Sequence, residues 1–271
     1  MIVQILRLSI FILLGLLLGE ARAGTDRCAA ADDVAGAAEP IPNVAAMLAP
    51  GKVLNVLTVG SATVFSPEAS LAPGTVTSQA LGMNQTGPAP TGPVQTSERA
   101  FPSQMAKALQ AAAPGAEVRV TTRGGRGLTA AEMLGVLRTE LAARKYQLVI
   151  WQTGTVEAVR NLPPGDFAQV LAEGAELVQA AGADLILVDP QFSRFLQTNS
   201  NLDPYEQALQ QVSAMPGVML FRRYELMRNW VNDGQIDLER TPRADRQRAV
   251  EMLHQCLGGH LAKLILSAAR S

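Results

Sequence analysis

The chain has 271 residues, of which 48% are hydrophobic and 17% are charged, and its formal net charge is −1. This size and composition predict one globular domain, with at most a small second one, and exclude an intrinsically disordered chain. Near-neutral charge without a basic cluster argues against a nucleic-acid partner. Two histidines and two cysteines are too few for a zinc ribbon or a cysteine-rich scaffold.

Residues 1–23 have the features of an export signal. Arg7 precedes an apolar run from Leu8 to Leu18, and Ala21-Arg22-Ala23 fits the small-x-small rule for cleavage. We therefore expect an exported protein, periplasmic or extracellular, whose mature chain begins at Gly24 and has no stable membrane span. An uncleaved anchor is the alternative, although the apolar run is shorter than the roughly 20 residues that span a membrane.

Export determines how the two cysteines are interpreted. In an oxidising compartment, one cysteine near each end of the mature chain favours a Cys28–Cys256 disulfide that ties the N-terminal arm to the last helix. Two buried free thiols are the alternative. We expect no metal site at His254-x-Cys256-x-x-x-His260, because His254 and Cys256 would lie about 200° apart around a helix.

After a lead-in at residues 24–51, strand and helix patterns alternate to the end of the chain. Apolar, β-branched runs predict strands at 53–59, 117–121, 147–152, 184–189 and 217–221. Amphipathic runs between and after them predict helices at 97–113, 129–143, 166–181, 204–214 and 243–268. This alternation predicts an α/β fold of three layers, with about five parallel strands and helices on both faces. Function is then expected at the carboxyl ends of the strands.

Residues 66–96 interrupt the pattern. This segment is rich in Pro, Gly, Ser, Thr and Gln, a composition that predicts neither helix nor strand. Because it follows the first strand, it is interpreted either as a lid over the site or as a disordered surface insertion.

Four blocks resemble the SGNH (GDSL-type) hydrolase superfamily of esterases and deacylases. They are the strand end at 57–63, the loop at 122–127, the strand end at 148–157 and the C-terminal helix. The resemblance implies a flavodoxin-like sheet for residues 52–271 and a backbone N–H of Gly127 as an oxyanion donor. It also implies a disulfide, since exported members of one branch pair a cysteine of the last helix with one near the N-terminus.

The same comparison shows substitutions at the positions that carry the family's chemistry. Ala62 stands at the nucleophile position, with Ser61 one residue early, and neighbouring residues at a strand end point in opposite directions. Val156 stands at the position of the asparagine that donates to the oxyanion, and valine has no side-chain donor.

The family's Asp-x-x-His block, which precedes the last helix, fits this chain in two registers. Counting back from Cys256 places Asp245 and Arg248 at the aspartate and histidine positions, whereas the competing register uses His254. Continuous helical periodicity over 243–268 favours the first register, with Arg248 facing the cleft between Gly60 and Gly127. His254 would then lie about 16 Å along the helix from its start, and Arg248 cannot accept a proton near neutral pH.

Two classes of function remain from the sequence. The first is an active exported ester hydrolase that uses Ser61 with His254. The second is a descendant with impaired or lost activity that binds an acyl ester or a glycan, or that supports a catalytic partner protein. No cofactor is expected, because Gly125-x-Gly127-x-x-Ala130 matches the dinucleotide fingerprint but the next strand ends without the acidic residue.

Overall fold

The computed structural model describes residues 28–31, 33–71 and 96–271 of the chain. The predicted export signal at 1–23 lies outside the described residues, as does most of the predicted insertion at 66–96.

One parallel sheet forms the centre of the fold. Its strands are β1 Val53–Gly60, β2 Glu117–Gly124, β3 Leu148–Gln152, β4 Asp184–Val188 and β5 Val218–Phe221. They lie in the order β2-β1-β3-β4-β5, and every pair of neighbours is parallel. The β3 and β4 strands are buried at every position, which explains their uninterrupted apolar runs. The predicted α/β fold with about five parallel strands is confirmed.

The described residues form nine α-helices, of which three have six residues or fewer. The bounds are α1 Pro42–Ala45, α2 Phe101–Ala112, α3 Ala130–Ala143, α4 Thr155–Arg160, α5 Pro164–Ala180, α6 Arg194–Asn199, α7 Asp203–Ser213, α8 Arg223–Asn232 and α9 Arg246–Ala268. Short 3₁₀ turns occur at Ala62–Val64, Pro67–Leu71 and Arg243–Asp245. The turn at Pro67–Leu71 corrects the prediction that the segment from residue 66 contains no helix.

The helices form two groups on the two faces of the sheet. The chain steps from β1 to β2 in one direction and from β2 through β3 to β5 in the other, so right-handed crossovers place α2 on one face and α3, α5 and α7 on the opposite face. The long α9 packs along α2. A Cβ at Gly258 of α9 would lie 2.7 Å from the Met105 nitrogen, so the two helices approach this closely only because residue 258 has no side chain.

An N-terminal arm, residues 28–31 and 33–41, runs beside β5, the last strand of the sheet. The Arg222 N–H that follows β5 donates to the Ala35 carbonyl at 2.9 Å, and the Trp230 indole N–H donates to the Ala29 carbonyl at 3.1 Å. The arm therefore covers the edge that β5 would otherwise expose.

The arm is also held covalently to α9. Cys28 and Cys256 form the predicted disulfide, with their Cα atoms 5.1 Å apart. The His260 ring, one turn further along α9, is hydrogen-bonded through Nε2 to the Cys28 carbonyl at 2.6 Å. Within residues 28–31, 33–71 and 96–271, no helix has the length and apolar character needed to cross a membrane.

Candidate functional site

The order of the strands reverses between β1 and β3, and in open parallel sheets ligands bind beside the carboxyl ends of the strands at such a point. Residues 60–63 leave β1 there and residues 152–157 leave β3. The end of β2 packs closely against residue 60, the first residue of the segment that leaves β1. Only a glycine at position 124 allows this contact, because its φ is 119° and a Cβ there would lie 2.1 Å from the Gly60 carbonyl oxygen.

Polar side chains from the ends of β1 and β3 form a hydrogen-bonded trio. The Gln152 amide N–H donates to Ser61 Oγ at 2.8 Å, and Thr63 Oγ1 donates to Gln152 Oε1 at 2.9 Å. Gln152 is buried, while Ser61 is partly exposed and lies directly before the 3₁₀ turn that begins at Ala62. The side chain bound to Ser61 is thus an amide, which cannot accept a proton from a hydroxyl near neutral pH.

The two oxyanion positions implied by the resemblance lie on separate elements. Gly127 is buried in the loop after β2, with a φ of 74°. Val156 is buried in the first turn of α4. Next to it, the Glu157 carboxylate accepts the Ala130 N–H that starts α3 and the Gly154 N–H that precedes α4, at 2.5 and 3.1 Å. Burial raises the pKa of Glu157 and these backbone donors oppose the rise, so Glu157 joins two helix starts.

His254 is placed differently from the sequence expectation. The Phe101 N–H at the start of α2 donates to His254 Nδ1 at 3.0 Å, and His254 Nε2 is hydrogen-bonded to Ser70 Oγ at 2.9 Å. Since α2 leads from the carboxyl edge of the sheet towards β2, both contacts place His254 at the level of that edge. The expectation that His254 lies far from the edge was wrong, because α9 begins about 12 Å before it reaches this level.

The contacts of His254 also determine which ring nitrogen carries the proton. A nitrogen that accepts a hydrogen bond from a backbone N–H carries no proton, so the neutral ring has its proton on Nε2. Nε2 then donates to Ser70, whereas the histidine of a Ser-His-Asp triad accepts from the serine through Nε2 and donates through Nδ1. The Ser70–His254 pair therefore has the opposite polarity to a nucleophile and its base.

The two residues of the favoured register lie at the surface. Asp245 is exposed in the 3₁₀ turn before α9, and Arg248 is exposed in the first turn of α9. The loop before α9 also contains Asp237-Leu238-Glu239-Arg240, a second Asp-x-x-Arg sequence. Counting back from Cys256 did not find it, although the nearby Pro242 marks the loop.

Asp237 and Glu239 hold that loop against the start of α6. Arg194 Nη2 lies 2.9 Å from Asp237 Oδ2, its Nη1 lies 3.1 Å from Glu239 Oε2, and Ser193 Oγ donates to Glu239 Oε1 at 2.8 Å. Beneath the loop is a cavity of about 30 Å³, lined mainly by the apolar side chains of Phe192, Met227, Val231, Ile236, Leu238 and Leu253, with Ser70 at its wall. This volume accommodates little more than a water or a methyl-sized group.

A buried acid–base pair lies at the ends of β4 and β5. Asp189 follows β4 and accepts the Tyr224 N–H at the start of α8 at 2.9 Å. Burial raises the pKa of Asp189 to about 8, and burial lowers the pKa of neighbouring Arg223 to about 10. Asp189 thus caps α8, and both groups contribute structure rather than a solvent-facing charge.

The comparisons with known proteins agree with this architecture. Residues 27–271 match the model of the Non-GDSL lipase-like family. No curated protein sequence matches the chain.

Among the similar solved structures are three hydrolases or esterases of distant sequence. LAE5, an alpha/beta hydrolase enzyme from the metagenome of Lake Arreo in Spain, is 16% identical, with 83% of this chain and 98% of that chain covered and a TM-score of 0.55. Axe2, an acetylxylan esterase from Geobacillus stearothermophilus, is 14% identical, with 82% and 96% covered and a TM-score of 0.52. CEX, a two-domain esterase active on acetylated mannans, is 12% identical with a TM-score of 0.56, and the match covers 87% of this chain and 54% of the CEX chain.

At such identities these structures show the fold alone, and the family model carries the assignment. The family model matches nearly the whole chain, and the chain folds around a five-stranded parallel sheet. The protein therefore belongs to the Non-GDSL lipase-like family, within the SGNH hydrolase superfamily.

Proposed function

We propose that this protein is an exported member of its family with little or no serine-esterase activity, and that it acts by binding an acyl or glycan ligand at the carboxyl edge of its sheet. The observation that carries the proposal is the polarity of His254. With the Phe101 N–H on Nδ1 and the ring proton on Nε2, His254 is arranged to donate to a hydroxyl and not to deprotonate it.

The serine nearest to the family's nucleophile position supports the same conclusion. Ser61 Oγ is bonded to the Gln152 amide, and Gln152 in turn is held by Thr63. A serine needs an adjacent general base to become a nucleophile, and an amide does not provide one.

Two further substitutions weaken the remaining chemistry. Val156 provides no side-chain donor to an oxyanion, and the Asp-x-x segments before and at the start of α9 end in Arg240 and Arg248, neither of which can accept a proton. In enzymes of this type the catalytic groups act as a unit, and the loss of one lowers the rate by a factor of about 10³ or more. With nucleophile, base and one donor replaced, we expect turnover near the uncatalysed rate.

Export is supported by the Cys28–Cys256 disulfide, since disulfides persist in oxidising compartments. A direct test is N-terminal sequencing of the protein recovered from a periplasmic or culture fraction. The expected first residue is Gly24, and recovery of the uncut chain in the cytoplasm contradicts the proposal.

The test of activity is hydrolysis of p-nitrophenyl acetate and butanoate, together with mass spectrometry after treatment with an organophosphonate probe. The expected results are turnover no faster than that of a Ser61→Ala variant and no covalent adduct. The competing function is an active ester hydrolase that uses Ser61 and His254. An adduct on Ser61 or Ser70, abolished by His254→Asn in a variant that retains the wild-type circular dichroism, would establish that enzyme instead.

A further inference from the structure

A polar groove lies where α6 turns into α7. Its volume is about 550 Å³, and its lining includes Gln197, Thr198, Asn199, Asn201, Asp203 and Tyr224. This volume is within the usual range for small-molecule sites, about 300–1,000 Å³. Most of the lining side chains are amides and hydroxyls, so the groove offers hydrogen-bond donors and acceptors with little charge.

The groove lies on the functional edge of the sheet. α6 follows the carboxyl end of β4, and Tyr224 follows the carboxyl end of β5 by three residues. β1, which leads to Ser61, is three strands from β5 in the sheet, a separation of about 14 Å. A ligand longer than one sugar ring that lies in the groove can therefore extend along the same edge towards the hydrogen-bonded pair of Ser61 and Gln152.

Internal hydrogen bonds hold the lining side chains without using all of their capacity. Asn199 Nδ2 donates to the Phe195 carbonyl at 2.7 Å, and Thr198 Oγ1 donates to the Arg194 carbonyl at 2.9 Å. The Asn199 carbonyl oxygen and its second N–H are left for a ligand, as are the acceptor sites of the Thr198 hydroxyl. None of the hydrogen bonds between described residues uses the side chain of Asn201, which is exposed.

An aromatic ring lies next to the groove on α6, outside its lining. Phe195 is 38% exposed and is the one large apolar side chain that is exposed among the described residues. Residues three and four positions apart share one face of a helix, so Phe195 lies beside Thr198 and Asn199. A phenyl face next to amides and hydroxyls matches the two kinds of surface on a sugar ring, its C–H face and its hydroxyl rim.

The charges around the groove argue for a neutral ligand. Asp203 is the charged residue of the lining, and the nearby carboxylates of Glu206 and Glu225 are accompanied by the cations Arg222 and Arg228. Because acidic and basic groups nearly balance there, a charged chain gains no net attraction. An unbranched acyl chain is disfavoured because it would leave the amides of the lining without partners.

From these observations we propose that the α6–α7 groove binds a neutral oligosaccharide, with Phe195 stacked on a sugar ring and Asn199 and Asn201 bonded to its hydroxyls. The proposal deepens the binding function proposed above by naming the ligand class.

The test is a titration of the full mature protein with xylohexaose, cellohexaose and mannohexaose. Binding is measured by isothermal titration calorimetry and located by changes in amide NMR shifts. We expect at least one of them to bind, with shifts centred on residues 195–203. Phe195→Ala and Asn201→Ala should each weaken binding about tenfold. Gln210→Ala is the matched control, because Gln210 is exposed on α7 outside the groove, and it should bind as the wild type does.

The dependence of binding on salt concentration distinguishes a neutral ligand from a charged one. Binding of a neutral ligand should change less than about twofold between low salt and 0.5 M NaCl, because no ion pair is screened. The proposal is overturned if none of the three probes binds, if only anionic polygalacturonate binds, or if Phe195→Ala and Asn201→Ala bind as tightly as Gln210→Ala. Phe195 and Asn201 are exposed, so unchanged melting temperatures will show that a loss of binding is not a loss of fold. A phosphonate adduct would refute the proposed lack of activity without affecting this result.

Discussion

The close approach of α2 and α9 at Gly258 gives a sharp test of the packing argument. A Cβ at Gly258 would lie 2.6 Å from Gln104 Cβ, 2.7 Å from the Met105 nitrogen and 2.8 Å from the Phe101 oxygen. Ordinary contact begins at 3.4 Å, so α2 and α9 must separate by 0.6–0.8 Å to accept Gly258→Ala. Two of the three atoms belong to the backbone of α2, which cannot rotate away as a side chain can. The whole helix must therefore move.

Gly259, the next residue, is the matched control. A Cβ there meets no atom within 4 Å. Replacing an interior helical glycine by alanine stabilises a helix by about 1 kcal/mol, and both substitutions gain this amount. Overpacking a core costs about 1–3 kcal/mol, and only Gly258→Ala incurs it, at the upper end because backbone must shift. The two variants should thus differ by about 2–3 kcal/mol, with Gly258→Ala less stable than wild type and Gly259→Ala slightly more stable.

Urea unfolding followed by circular dichroism, with the disulfide intact, measures this difference. For a chain of this size the gap corresponds to roughly 5–10 °C in Tm. The separation of α2 from α9 should also disturb the Phe101–His254 hydrogen bond, which can be followed as a shift of the Phe101 amide resonance. If Gly258→Ala is as stable as Gly259→Ala, the close packing of α2 and α9 described above is incorrect.

Three other predictions concern the crosslink, the buried acid and a second close contact. The double variant Cys28→Ser/Cys256→Ser should lose up to about 5 kcal/mol of unfolding free energy, since its chain loses a long closed loop; equal stability of the oxidised wild type and the variant in urea would refute this. Because burial raises the pKa of Asp189 to about 8, its protonated form stabilises the fold fully below about pH 4, and this contribution is lost as pH rises through about 8. The stability of wild type relative to Asp189→Asn should therefore fall over that window, by at most about 1.4 kcal/mol per pH unit, and a flat difference between pH 5 and 8 would contradict the buried, raised pKa. Gly174→Ala should destabilise the protein by about 1–3 kcal/mol, because its Cβ would lie 2.3 Å from Trp151 Cζ3; calorimetry that shows no drop in Tm would exclude the contact.

The sheet could be predicted from sequence because its signal is local. Each strand is a short apolar run buried on both faces, and strands and helices alternate along the chain, so bounds such as those of β1 and β4 were predicted within one or two residues. The short helices were not predicted. α4 and α6 have six residues each, too few for a 3.6-residue period to appear.

The site was less predictable because its contacts join distant parts of the chain. Ser70 and His254 are 184 residues apart, and Ser70 lies at the start of a segment whose composition indicates a loop. Periodicity correctly indicated the length of α9, but it carries no information on where along the helix the sheet edge falls. This placement depends on the packing of α9 against α2 and on the disulfide, and it sets where Arg248 and His254 lie relative to that edge.

The N-terminal arm links the two ends of the chain, and this has a consequence for the order of folding. Residues 28–31 and 33–41 are the first described residues to be synthesised, yet their partners, Arg222, Trp230 and Cys256, are among the last. Contacts between such distant residues raise the contact order and slow folding, because a long loop must close before they form. A chain that emerges amino end first can fix the arm covalently only after Cys256 of α9 has appeared. Truncation before Cys256 should therefore leave the cover of β5 held by the hydrogen bonds to Arg222 and Trp230 alone, and an edge that opens more often is more prone to associate with other copies.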